Sequence, residues 1–278
     1  MKNILVAIPN FNNSKYIEEA IQSVLNQKIP YDYKLDIVVF DNASTDNSVD
    51  IINKVIANNL AVSLIINASN IGAIANHNLC IDYAIENNYD YLKVLSSDDV
   101  LLKNILLSQV NALESEPNLS VVSCGMIVTD ANLNNGEEYR FIESPMEIVK
   151  EDCKSLIRNC MIKRVNMFGG PSNFLLRVSN IREIRFSAKY RWLSDFDFVS
   201  RLALSDGIFL YLNCPGFLYR RHDNTDSSNI GRQIGLRLRE WYRFTIENSN
   251  KLDLLSIKMN LFLKLVLMQI LTSLKQFR

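Results

Sequence analysis

Tyr91-Leu92-Lys93-Val94-Leu95-Ser96-Ser97-Asp98-Asp99-Val100-Leu101 decides the fold. A short apolar run, dense in strand-favouring residues, stops at two small hydroxyl residues and two carboxylates, and a second apolar run begins at once. That pattern suits a buried parallel strand delivering acids to the carboxyl edge of a sheet, where open α/β folds place their ligands. Adjacent carboxylates repel, so they sit together comfortably where a cation or solvent neutralises them. The same residues also suit a solvated turn in which Asp98 or Asp99 caps the next helix.

Upstream of this stretch the chain alternates strand and helix. Residues 4–8 (Ile-Leu-Val-Ala-Ile) read as a buried strand, broken by Pro9-Asn10-Phe11-Asn12-Asn13. A helix follows, with Ser14 as its expected cap, Glu18 and Glu19 in its first turn, and Ile17, Ala20, Ile21, Val24 and Leu25 on one face. Residues 35–40 form a second strand, closed by Asp41-Asn42-Ala43-Ser44-Thr45-Asp46, which also caps a helix carrying Val49, Ile52, Val55 and Ile56. Residues 62–66 are a third strand, and residues 70–78 open a helix running to Glu86. The order β-α-β-α-β-α-β predicts a parallel sheet with right-handed crossovers and helices on both faces.

Three strands thus end in polar clusters: Asn10/Asn12, Asp41/Ser44/Asp46, and Ser96 to Asp99. In a parallel sheet these converge on one crevice. A nucleotide fits it: Asp41 can accept from a ribose hydroxyl or a base N–H, and the helix start near Gly72 can face phosphate. Asp46 reads instead as turn and cap chemistry.

Downstream, residues 104–114 read as a helix closed by Pro117, and residues 121–128 as a strand. Residues 129–143, with Asn134-Asn135-Gly136, form a turn or hairpin tip. A helix is expected over 154–162, then Phe168-Gly169-Gly170-Pro171-Ser172 as a loop lying against a ligand. Residues 193–202 read as a cap and helix with Asp195 at its start, where an acid also serves as a simple cap or dipole partner. Residues 208–212 and 216–219 are expected as two short strands. They lead to Tyr219-Arg220-Arg221-His222-Asp223-Asn224, which suits a diphosphate or a metal, or else a solvated charge cluster. Residues 230–247 carry a helix with Arg232, Arg237, Arg239 and Arg243. The apolar tail over 254–277 is interrupted by Lys258, Asn260, Lys264 and Gln269 and is too polar for a transmembrane span. A buried or oligomer-forming helix is the first reading; a helix lying on an anionic membrane surface is the alternative.

Composition bounds the classes. The chain has 278 residues, and its 30 basic and 30 acidic side chains cancel, so no nucleic-acid partner is expected. Five scattered cysteines without a CxxC pair predict reduced, mostly buried thiols. With only His77 and His222 present, a His-rich metal site is excluded. One Lys precedes the first strand, which is no signal peptide; the expectation is a cytoplasmic protein, with the inner face of the plasma membrane as a refinement.

Taken in order, these clusters resemble the family-2 glycosyltransferases over roughly residues 3–225. The matching stretches are Val6-Ala7-Ile8-Pro9-Asn10-Phe11-Asn12, the helix from Tyr16 to Gln27, Asp41-Asn42-Ala43-Ser44-Thr45-Asp46, and Asn70-Ile71-Gly72 through Asn78. The resemblance implies an α/β fold of the A type (GT-A, Rossmann-like), a mostly parallel sheet flanked by helices, with a helical C-terminal extension. It implies a nucleotide-binding half over about 1–100, an acceptor-binding half over about 101–225, and an extension over 226–278.

The implied activity is inverting transfer of a sugar from a nucleoside-diphosphate donor, UDP-sugar first, to a hydroxyl of a glycan or lipid-linked saccharide of a bacterial surface polysaccharide. Asp195 would be the base. Asp98 and Asp99, with His222, would hold Mn²⁺ or Mg²⁺; Ser96 stands where an acid is common, as Ser194 does before Asp195. Pro9, Asn10, Asn12, Asp41, Asn70, Gly72, Asn78, Ser97, Arg220 and Arg221 would bind the donor. Acceptor choice would lie in residues 129–170 and near Arg191-Trp192, and residues 250–278 would serve membrane contact or self-association. The competing readings are a nucleotidyltransferase, whose glycine- and lysine-rich loop is missing after the first strand, and a non-catalytic sugar-nucleotide or glycan-binding module.

Overall fold

The computed structural model describes residues 1–142, 148–151, 153–204, 208–222 and 233–252. Strands β1 (Lys2–Asn10), β2 (Tyr33–Asp41), β3 (Val62–Ile66) and β4 (Tyr91–Val94) alternate with helices α1 (Ile17–Leu25), α2 (Ser48–Ile56) and α3 (Ala73–Glu86). β5 (Val100–Leu101), α4 (Ile105–Ser115), β6 (Leu119–Thr129), β7 (Glu137–Tyr139), β8 (Ile148–Glu151) and α5 (Cys153–Lys163) follow. β9 (Leu175–Arg177), α6 (Ser194–Leu204), β10 (Ile208–Arg220) and α7 (Ile234–Leu252) complete the described elements.

The strands form one sheet in the order β3-β2-β1-β4-β9-β6-β10-β5, with β7 on β6 and β8 on β10. β1 to β4 are mutually parallel, and β6 runs parallel to β10. β9 lies antiparallel between β4 and β6, so it stitches the two parallel groups together. The alternation of side chains along β1 divides the core. Ile4, Val6 and Ile8 pack on one face with Ile17, Ile52 and Ile105; Leu5 and Ala7 pack on the other with Cys80, Leu156 and Phe196. All of these but Ile105, Leu156 and Phe196 are wholly out of solvent, and those three nearly so. Burying each such aliphatic chain contributes about 1.5–3 kcal/mol.

Four local expectations change. Ser14 does not cap α1; the helix starts after Tyr16 with no side-chain cap bond, and the Ser14 N–H donates to Asp46 instead. The apolar run after Asp99 is β5, antiparallel to β10, so neither Asp98 nor Asp99 caps a helix, and α4 begins at Ile105, within a residue of the expected start at 104. The expected strands over 208–212 and 216–219 are one strand, β10, whose pairing with β6 shifts register around Pro215. Pro215-Gly216 is therefore a bulge, not a break. Finally, β9 was not anticipated.

α7 is not a free appendage. Trp241 and Phe244 are buried, with ring centroids 5.0 and 4.9 Å from that of Phe196. Among the described residues no helix is long and apolar enough to cross a membrane. The expectations for 253–278 lie outside the described residues.

Candidate active site

The carboxyl ends of β1 and β2 stand in register, Asn10 beside Asp41 and Pro9 beside Phe40. Asn10 Nδ2 donates to Asp41 Oδ1 at 2.8 Å and to Ser44 Oγ at 3.3 Å. Ser44 closes the loop, donating from Oγ to Asp41 Oδ1 at 2.6 Å and from its N–H to Oδ2 at 2.9 Å. Asp41 is fully buried. Asn10 Oδ1 is buried too, and among the described residues nothing donates to it. Asn12, at φ 52°, latches the next turn: its Oδ1 accepts from the N–H groups of Thr45 (2.7 Å) and Asp46 (3.3 Å). Asp46 is the turn-and-cap acid that the sequence suggested, accepting from Ser48 and Ser14. Burial works to raise its carboxyl, yet these hydrogen bonds hold it below the ordinary range.

A network of asparagines carries this edge across to α3. Asn42 Oδ1 accepts from Ile71 N–H (2.9 Å) and Asn67 Nδ2 (3.1 Å), while Asn42 Nδ2 donates to Asn70 Oδ1 at 2.9 Å. Asn70 Oδ1 also takes the Gly72 N–H at 2.9 Å. Asn76 Nδ2 reaches back to Phe40 O at 2.9 Å. Asn70 and Gly72 therefore share the edge with Asp41. Asn78 does not join them: its amide is spent on both backbone groups of Phe186, at 2.9 and 2.7 Å.

At the end of β4 the two acids part. Asp98 Oδ2 lies 3.0 Å from His222 Nε2, and the His222 ring lies 4.9 Å from that of Tyr16. Asp99 points into the protein, where its Oδ2 accepts from Ser172 Oγ at 2.7 Å and its Oδ1 from the Arg220 N–H at 3.3 Å. Burial and the neighbouring Asp98 push the Asp99 carboxyl well up, against Ser172 and Arg220. Asp99 is thus an internal brace, and Asp98 with His222 offers the oxygen and nitrogen donors. Among the described residues no three His, Cys, Asp or Glu side chains converge as a ready metal cluster. Ser97 is buried, its hydroxyl accepting from Asn13 Nδ2 at 2.7 Å.

The two arginines also separate. Arg220 is 3% exposed. Its Nε donates to Asp98 O (2.9 Å), its Nη1 to Ala131 O (2.6 Å) and its Nη2 to the Glu19 carboxylate, and the guanidinium lies 4.4 Å from the Tyr16 ring centre. Arg221 is exposed, anchored through its backbone N–H to Thr129 O at 3.0 Å.

Asp195 stands in the first turn of α6. Burial pushes its carboxyl up to about 6, and the nearby Ser194 hydroxyl works weakly the other way. A carboxylate titrating near neutrality is suited to taking a proton. The loop before β9 runs against it: a Cβ on Gly170 would stand 3.5 Å from Asp195 Oδ2, and Gly169 sits at φ +95°, where an L side chain is strained. Gly170 and Ser172 are two residues apart, so one short segment passes beside Asp195 and hydrogen-bonds to Asp99.

That segment rests on Lys93, which is fully buried. Its ammonium donates to Ser172 O (2.9 Å), Phe174 O (3.3 Å) and Gln109 Oε1 (3.1 Å). Burial pushes the ammonium down to about 8. Lys93, Gln109 and the asparagines 42, 67 and 76 were not singled out by the sequence reading, whereas Ser172 lies in the loop it expected against a ligand. Lys93 carried a signal, since a lysine inside a buried strand needs partners; the others are ordinary turn and helix residues.

The comparisons agree with this geometry. The family model described as glycosyl transferase family 2 matches residues 5–185. An uncharacterized glycosyltransferase of Haemophilus influenzae is 32% identical over 111 residues, 40% of this chain and 42% of its own length. The abequosyltransferase RfbV of Salmonella typhimurium is 29% identical over 116 residues, 42% of this chain and 34% of its own. The chain thus spans less than half the length of these two relatives. Among solved structures, Staphylococcus aureus TarS 1–349 in complex with UDP-GlcNAc superposes with a TM-score of 0.62 at 18% identity, over 87% of this chain and 66% of that one. The mannosyltransferase PcManGT of Pyrobaculum calidifontis, in complex with GDP-Man and Mn2+, gives 0.61 at 17% identity, over 88% and 64%. At such identities these two share the fold, the GT-A type. The matched region runs from β1 to the turn that Asn78 grips and takes in Asn10, Asp41, Asn70, Gly72 and Asp98, ending before Asp195, Arg220 and His222, and on that ground the chain belongs to glycosyl transferase family 2.

Proposed function

We propose that this glycosyltransferase moves a sugar, with inversion, from a nucleoside-diphosphate donor to a hydroxyl of a glycan or lipid-linked saccharide. One observation carries the reading. The segment around Gly170 and Ser172 passes beside Asp195, an acid raised to about 6, and hydrogen-bonds through Ser172 to Asp99, the residue next to the Asp98–His222 pair. A base and a cation-binding pair held by one support is what in-line displacement needs.

The donor half over about 1–100 would hold the nucleotide, and residues 101–225 the acceptor. The buried, unsatisfied Asn10 Oδ1 beside Asp41 is an acceptor that a nucleobase N–H would satisfy, whether the imide of uracil or thymine or the N–H groups of guanine; UDP is the first donor to test. TarS was solved with UDP-GlcNAc and PcManGT with GDP-Man, so both donor types belong in the test. Asn70 and Gly72 flank the ribose and phosphate. Arg221, with its guanidinium outward, takes the diphosphate role expected of both arginines, while Arg220 braces the Asp98 backbone.

The residues fit a hard divalent cation. A carboxylate oxygen and an imidazole nitrogen brought within hydrogen-bonding distance of each other are donors such a cation accepts. Asp98 Oδ2 and His222 Nε2 are separated by 3.0 Å. Asp98 and His222 would hold Mn²⁺ or Mg²⁺, which when bound neutralises the departing diphosphate. Asp195 accepts the proton of the acceptor hydroxyl. The acceptor oxygen forms the new bond to the anomeric carbon from the far side. The bond from that carbon to the diphosphate oxygen breaks, and its electron pair leaves with the nucleoside diphosphate.

The test is thermal shift with UDP, GDP, dTDP and CMP, with and without Mn²⁺, then release of nucleoside diphosphate from UDP-GlcNAc and GDP-mannose. Metal-dependent stabilisation by one nucleotide followed by turnover supports the proposal. Stabilisation without turnover favours the binding module, and no response overturns both.

A further inference from the structure

Glu240 lies on α7, beyond the span matched by the family model, and is buried. A buried carboxylate is costly to keep unless it is hydrogen-bonded. Its Oε1 accepts the Arg191 N–H at 2.8 Å, and its Oε2 accepts those of Trp192 (2.8 Å) and Leu193 (2.9 Å). These are consecutive backbone donors, and α6 begins at the next residue, Ser194, followed by Asp195. Leu193 O then accepts the first helical bond, from the Asp197 N–H at 2.8 Å. One carboxylate therefore fixes the backbone that launches the catalytic helix. Three charge-assisted bonds to consecutive amides leave that turn little freedom.

The same helix grips the turn a second way. The Arg237 guanidinium, on the adjoining helical turn, lies 4.8 Å from the Trp192 ring centre. On its far side α6 is tied down by Asp197, which pairs with Arg201 at 2.8 Å; Arg201 in turn donates to Arg185 O at 2.5 Å. α6 is thereby held from α7 at its start and from the Arg185 turn along its flank.

We infer that Glu240 is a positioning residue: it sets the direction of Asp195 toward the acceptor hydroxyl by clamping the amides of Arg191, Trp192 and Leu193. This rests on the role of Asp195 proposed above. A misplacement of about 1 Å at a reacting group costs on the order of a hundredfold in rate.

The test compares Glu240→Gln, which matches the side chain in shape but puts an amide N–H against the clamp's donors, with Glu247→Gln on the same helix. Glu247 accepts from the Tyr190 hydroxyl and touches no backbone donor of the turn. Turnover is read as nucleoside diphosphate release from UDP-GlcNAc and from GDP-mannose with Mn²⁺. The expected result for Glu240→Gln is a kcat lowered tenfold to a hundredfold, with the donor KM within twofold of the parent and the melting temperature lower by several degrees. Glu247→Gln should leave kcat unchanged. Parallel loss of kcat and donor KM, or an equal effect of both variants, overturns the proposal. If Glu240→Gln does not fold, Glu240→Asp, which keeps the buried charge but shortens its reach, is read the same way.

Hydrogen exchange over residues 190–197 supplies a readout independent of turnover. Glu240→Gln should speed exchange there and not in β1 or α1. Unchanged exchange overturns the clamp. An inactive parent with faster exchange in the variant would defeat the transfer reading and leave the clamp standing.

Discussion

Asp98 Oδ2 and His222 Nε2 lie 3.0 Å apart, although 124 positions separate them in the chain. The pairing depends on β5, which lays Val100-Leu101 against Phe217-Leu218 and so draws the end of β10 to the end of β4. Asp98→Asn and His222→Ala should each weaken Mn²⁺-dependent UDP binding by about tenfold or more. Titration calorimetry with and without metal checks this. Asp99→Asn should largely keep the metal-dependent term, because Asp99 faces Ser172 and Arg220.

Asp195→Asn should abolish transfer and leave UDP·Mn²⁺ affinity nearly intact, as measured by the same calorimetry. It should also stabilise the fold. The Asp195 carboxyl is raised to about 6 from an ordinary 3.8, so the folded chain binds the proton more tightly than the unfolded one. Stability therefore falls as pH rises between those two values and stays lower above them. Restoring a neutral group recovers up to about 3 kcal/mol at pH 7. Denaturant melts at pH 4 and pH 7 should show the gain only at pH 7. The kcat of the parent should rise with pH through about 6.

Lys93→Met should cost about 1–3 kcal/mol through the acceptors left unsatisfied at Ser172, Phe174 and Gln109. The pH signature separates this from a simple packing defect. Between about 8 and 10.5 the folded chain sheds a proton that the unfolded chain keeps, so parental stability rises with pH over that window. The Met variant should lack the rise in denaturant titrations at pH 8 and pH 10.

Arg220 and Arg221 should behave oppositely despite being adjacent. Arg220→Lys breaks a three-way brace and should lower the melting temperature by several degrees, at about 2–4 °C per kcal/mol for a domain of this size. Arg221→Ala should leave the melting temperature unchanged and weaken UDP severalfold. Scanning fluorimetry and calorimetry on the two variants decide it.

The alternation of β1 to β4 with α1 to α3 was legible because buried strands are continuous apolar runs and their helices show one apolar face. So was the convergence of Asn10, Asp41 and Asp98, which follows from parallel strand direction alone. What the sequence hid has physical causes. Asp98 and Asp99 look like one unit, but the turn in which the Asp99 N–H donates to Ser96 O sends their side chains to different partners. Arg220 and Arg221 mislead because neighbouring residues at a strand end face opposite ways. β9 is three residues long, too short for a periodicity, and Pro215-Gly216 imitates a strand end while forming a bulge. Glu240 was unreadable because its partners are backbone groups 47 to 49 positions away, and amide donors leave no mark on composition.

The place of β9 between β4 and β6 also governs how the molecule comes off the ribosome. β1 to β4 emerge first and pair in parallel, but β4 keeps a bare edge of backbone donors and acceptors until Leu175–Arg177 arrives. β6 emerges earlier than β9 yet cannot join β4 without it. For some eighty residues of synthesis the nascent sheet carries a sticky flank, the kind of exposed edge that recruits chaperones or other chains. A chain stopped after the nucleotide half would keep that flank permanently.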